Sequence, residues 1–190
     1  MEKVFGFLAF ALLFFATSCK VTFTDNLRSN IEAQGLNLKK IQYYNSQKIV
    51  LRRVLTTSDT RVASGEVRLH NGLQVEEIQI KRNTPGICDS LTPKLMYIRF
   101  ENEKGRFLVF EKSAYGEYLM KADKWDPKTI GAQTSEGYAQ FLELNKGEVI
   151  YEGKKYFTNT SISRPKLKIK KKESSKYAKN SRKASGVRVQ

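Results

Sequence analysis

The chain is poor in the residues that most often do chemistry. One histidine occurs among 190 residues, His70, and only two cysteines, Cys19 and Cys88. A Ser-His-Asp or Cys-His arrangement would have to be built on His70. That residue sits in a His70-Asn71-Gly72 turn signal between two apolar alternations, a place for a turn residue. Zinc sites draw on clustered His and Cys ligands, and this sequence offers no cluster. Glycine-rich phosphate-cradling patterns are absent, and the glycines fall singly at turn signals. No internal repeat is visible. The sequence therefore indicates no metal, no cofactor and no catalytic constellation, and the expectation is a protein that is not an enzyme. Glu76-Glu77 is the most conspicuous carboxylate pair. In a regular strand these residues point to opposite faces, which gives a solvated pair and no acid/base couple.

Charge is present in excess and unevenly placed. The net charge is +15. Residues 20–163 carry 22 basic and 17 acidic residues, a net of +5, whereas residues 164–190 carry 11 basic residues against Glu173 alone, a net of +10. Lys166, Lys168, Lys170, Lys171, Lys172, Lys176, Lys179, Arg182 and Lys183 make this stretch a candidate contact for a polyanion or an acidic partner. Lys166 to Lys170 alternates charge with apolar residues and could add an edge strand. From Lys171 onward few apolar residues remain, so burial cannot offset ordering entropy and disorder is expected.

The amino terminus explains where such charge would act. Lys3 precedes an apolar run from Val4 to Ala16. At ~1.5 Å per residue the run covers roughly 20 Å, short of the ~30 Å of bilayer hydrocarbon, which fits a signal peptide over residues 1–18. The run ends in Ala16-Thr17-Ser18-Cys19, which resembles the bacterial lipobox, with Ala16 where leucine is more usual. The resemblance implies cleavage before Cys19 and acylation of its sulfur, with several acyl chains together giving stable anchoring. It leaves Cys88 without a disulfide partner, as a small buried hydrophobe. Lys20 after the cysteine, in place of aspartate, resembles outer-membrane sorting. The absence of an acidic cluster resembles the periplasm-facing default in Bacteroidetes lipoproteins. Asp89-Ser90-Leu91 resembles a short O-glycosylation acceptor of that phylum. An exported protein argues against nucleic acid as the partner of the basic stretch.

The mature chain reads as mainly β. Thr24-Asp25-Asn26 caps a helix near 25–35 that Gly35 ends. Strands are expected over 41–44, 48–57, 62–69, 73–82, 95–101, 106–112, 118–121, 138–144, 148–152 and 155–158. Asn71-Gly72 and Gly105 mark hairpins, and the Glu76-Glu77 hitch marks a possible bulge. Residues 83–88 read as a connection with a tight Pro85-Gly86 turn, and 122–136 as a loop. Tyr43, Tyr44, Tyr115, Tyr118, Tyr138, Tyr151 and Tyr156 read as core or rim residues. The fold expectation is an antiparallel sandwich or partly closed barrel over 19–163, followed by a basic tail over 164–190. The functional expectation is a non-enzymatic envelope lipoprotein acting as a binding or scaffolding module, with an outer-membrane or secretion assembly as a setting for it. A lipocalin-like barrel holding a small apolar ligand is its rival.

Overall fold

A computed structural model describes residues 19–55, 65–70, 72–123, 147–158 and 164–177. The expected signal peptide, the strand over 138–144, the 124–136 part of the loop and the tail beyond Tyr177 lie outside the described residues.

The described chain is mainly β, in two antiparallel sheets. Its strands are β1 (Lys20–Thr22), β2 (Tyr43–Asn45), β3 (Ile49–Val54), β4 (Glu66–His70), β5 (Leu73–Ile80), β6 (Pro85–Leu91), β7 (Leu95–Arg99), β8 (Phe107–Lys112), β9 (Tyr118–Met120), β10 (Gly147–Tyr151), β11 (Lys154–Thr158) and β12 (Leu167–Lys170). One sheet runs β1-β12-β2-β6-β7-β8-β9, the other β10-β11-β3-β5-β4. Two helices accompany them, α1 (Asp25–Ala33) and α2 (Lys171–Tyr177), with a 3₁₀ turn at Leu38–Lys40. The larger sheet curls until β9 approaches its far end, through isolated bridges Leu119↔Lys166 and Thr24↔Glu117. No continuous ladder joins the ends, so the sheet is not closed into a barrel.

Local chemistry accounts for most of the framework. Thr24 caps α1, its hydroxyl accepting from the Leu27 N–H at 3.4 Å, and Gly35 takes φ +67 where the helix ends. The expected β4–β5 hairpin is present, with Gly72 at φ +77. Glu152 and Gly153, at φ +53 and +70, make the two-residue turn of β10–β11, because a type I′ turn needs both left-handed. Strand alternation sends Met96, Ile98, Leu108, Phe110, Tyr118, Met120, Leu167 and Ile169 into one core with Phe23, Leu27 and Ile31 beside α1.

Four expectations need correction. Residues 85–91 form a strand inside the larger sheet, not a connection. The turn falls earlier, at Lys81–Thr84, where Asn83 takes φ +63 and Thr84 N–H donates to Lys81 O. Gly86 serves the sheet instead: a Cβ there would lie 2.8 Å from Ile98 and Phe100 side-chain atoms. Second, β12 is not an edge strand, since it pairs with β1 on one side and β2 on the other. Leu167 and Ile169 are wholly buried, so the fold extends past the boundary expected at residue 163. Third, residues 171–177 are helical; α2 packs near α1, and Gln34 Nε2 donates to Tyr177 O at 2.9 Å. The β5 ladder also runs without a bulge from Ile49↔Ile80 to Val54↔Val75.

Candidate anionic-surface site around Cys19

Cys19 is exposed, is not in a disulfide, and lies at the first residue of the described fold. Strand β1 begins at the next residue, Lys20. The Cys19 carbonyl accepts from the Lys171 N–H at 2.8 Å, which ties the cysteine to the first residue of α2. The β1–β12 register is Lys20↔Lys170, Val21↔Ile169 and Thr22↔Lys168. Alternation sends Val21, Leu167 and Ile169 to the core and puts Lys20, Lys168 and Lys170 on the outer face. Lys168 is paired across the ladder with Tyr44, and the Lys20 Nζ stands 4.6 Å from the centre of the Tyr44 ring. Lys171 and Lys172 are exposed where β12 passes into α2.

These five lysines are answered by no described carboxylate. Lys166 is different: its Nζ pairs with Glu117 at 2.8 Å and is neutralised within the fold. Lys176 is exposed on α2, whereas Lys179, Arg182 and Lys183 lie outside the described residues. The arrangement opposes local physical chemistry in two ways. Like charges directly across a ladder destabilise it, as Lys20 and Lys170 are placed. Lysines at a helix N-terminus face the positive end of the macrodipole, where Lys171 and Lys172 sit, with Glu173 the one acidic residue of that turn. Sequence reasoning missed Lys20 as a member of this set. The Lys20-Val21-Thr22 alternation beside the Lys-Leu-Lys-Ile-Lys run was the signal for it.

The other candidate groups serve the fold. Glu76 and Glu77 do point to opposite faces, yet neither is solvated: they are 0% and 9% exposed. The Glu76 carboxylate accepts from Arg53 Nη2 at 2.8 Å, Tyr156 Oη at 3.0 Å and the Gly65 N–H at 2.8 Å. Gly65 permits this approach, since a Cβ there would lie 2.9 Å from Glu76 Cγ and 2.8 Å from Glu77 O. Glu77 accepts from Arg52 Nε at 2.7 Å and from Gln79. Burial alone would raise the Glu77 carboxyl, and these hydrogen bonds with the Arg52 charge bring it below its ordinary range. The buried Arg28 guanidinium donates to Thr92 O, Pro93 O and Tyr118 Oη, fastening α1 to the β6–β7 turn and β9.

Cys88 is 3% exposed, and burial pushes its thiol up to about 11, so it is a protonated core residue and not a nucleophile. His70 lies in β4 beside the turn. Tyr43, Tyr118, Tyr151 and Tyr156 are fully buried, Tyr115 is exposed, and Tyr138 lies outside the described residues. Rings of Phe23, Tyr43, Phe110 and Tyr118 occupy the interior of the curled sheet, where a carrier barrel would keep space for its ligand. A groove of about 240 Å³ lies on the outer face, bordered by Leu95, Tyr97, Phe107, Val109 and Ile150 with Glu148 at its rim. Among the described residues no group of His, Cys, Asp and Glu is placed to hold a metal, and no helix is long and apolar enough to cross a membrane. Comparison with family models, with curated proteins and with solved structures gives no match to this chain.

Proposed function

We propose that this chain is an envelope lipoprotein, cleaved before Cys19 and acylated there, whose β-rich domain is a non-enzymatic binding or scaffolding module on the periplasmic side of an outer membrane. The observation that carries the reading is the position of Cys19: exposed, free of any disulfide, and directly before the first strand. Cys88 supports it from the other side, because its thiol is buried in the core while Cys19 is exposed, and neither is in a disulfide. Glu76 and Glu77 are engaged in ion pairs and Cys88 is buried in the core, which favours a module that holds something over one that transforms it.

Metabolic labelling with a palmitate analogue tests the anchor. The wild-type protein should be labelled and Cys19→Ala should not, with the variant released from the membrane fraction. Equal labelling of the two would overturn the anchor.

A further inference from the structure

We propose that Lys20, Lys168, Lys170, Lys171 and Lys172 form a platform that lies flat on the anionic headgroups of the same membrane that holds the Cys19 lipid. The inference rests on the proposed acylation for its location, while the charge pattern stands on the fold itself.

The placement is set by distances along the chain. Lys20 is adjacent to Cys19, one Cα step of ~3.8 Å away. Lys170 lies directly across the ladder from Lys20, a strand spacing of ~4.8 Å. Lys168 is two residues further along, about 7 Å. Lys171 is hydrogen-bonded through its N–H to the Cys19 carbonyl. Lys20, Lys170, Lys171 and Lys172 thus sit about one Debye length or less from the point where acyl chains would enter the bilayer, ~8–10 Å at ordinary ionic strength, and Lys168, opposite Thr22, sits roughly 11 Å from it. There is no linker: Cys19 is followed at once by a strand, so an anchored domain could not stand away from the surface.

The chemistry fits a diffuse layer of headgroups better than a pocket-bound anion. Lysines are compact, hydrated point charges on flexible stems, and these project from a sheet face and a helix start. The set opposes itself within the fold, lysine across from lysine and lysines on a helix N-terminus. External negative charge relieves both oppositions together. Guarding an edge strand against a second copy does not explain the set, because four of the five lie on the interior strand β12 or on the helix after it. At an anionic surface each such lysine is worth about a fivefold gain in binding, reduced by salt.

Amine footprinting of the full-length protein, purified from membranes and reconstituted in vesicles, tests the platform. Acetylation rates are read by mass spectrometry in phosphatidylcholine alone and in an equal mixture of phosphatidylcholine and phosphatidylglycerol. The five lysines should react several-fold more slowly on the anionic vesicles only, with Lys94 and Lys104 unchanged in both. Lys168→Gln/Lys170→Gln, two outward-facing changes, should weaken the protection of Lys20, Lys171 and Lys172. Equal rates on the two vesicle types would overturn the platform. Protection in native envelope membranes but not in anionic lipid would also overturn it and transfer the surface to a protein partner. The mass of the Cys19 peptide from the same sample separates the two claims. Acylation without charge-dependent protection sinks the platform alone, protection without acylation sinks the anchor alone, and absence of both sinks both.

Discussion

In the five-stranded sheet each arginine of β3 meets a carboxylate directly across the ladder, whereas in the seven-stranded sheet a lysine of β1 meets a lysine of β12. Arg52 is opposite Glu77 and Arg53 opposite Glu76, at 2.7 and 2.8 Å. Lys20 is opposite Lys170, with no described carboxylate to separate them. Both arrangements use cross-strand neighbours, so the backbone geometry is the same and only the sign of the partner differs. The first closes its charge inside the molecule, and the second leaves it open to whatever lies outside. A basic residue is thus informative by what stands across from it, more than by the run of sequence it belongs to.

The largest effect should come from breaking the closed pairs. Arg53→Ala leaves Glu76 fully buried without its guanidinium partner, and the expected loss is about 3–5 kcal/mol in chemical denaturation. Arg53→Ala combined with Glu76→Leu should recover part of that loss, because the buried carboxylate goes with its guanidinium partner while Tyr156 Oη and the Gly65 N–H lose their acceptor. A smaller effect follows from acid. Glu77 is held below its ordinary value of 4.5, so it contributes stability at pH above that value, and the contribution is lost as pH falls through the lowered pKa. The urea midpoint, followed from about pH 6 to about pH 3, should drop less steeply in Glu77→Gln than in the wild type.

Much of the frame was legible from local chemistry. Thr24, Gly35, Gly72 and Gly105 mark a helix and hairpins because capping and left-handed φ are local requirements that a sequence cannot hide. What failed depended on partners distant along the chain. Pro85-Gly86 carries the composition of a turn, but a glycine also suits a strand whose inner face is filled by Ile98 and Phe100. Leu167 and Ile169 look like the apolar half of a weak edge strand until β1 and β2 are seen on either side of them. Glu76-Glu77 reads as a solvated pair because the arginines that bury it sit more than twenty residues away, on β3. The same limit bears on experiment. A truncation meant to probe the basic tail must begin after Tyr177, since one at Lys166 would remove Leu167 and Ile169 from the core.

The smallest change is also the most direct test of the contrast, and it is Lys170→Glu. It places a carboxylate opposite Lys20 and converts an open pair into a closed one, a gain of about 0.2–1 kcal/mol in vesicle-free solution. On anionic vesicles the same substitution should abolish the slowed acetylation of Lys20, Lys171 and Lys172. Measured together, thermal stability and footprint should move in opposite directions, with stability up and membrane contact down. If Lys170→Glu lowers stability and leaves the footprint intact, the open lysines are not held in reserve for an outside anion.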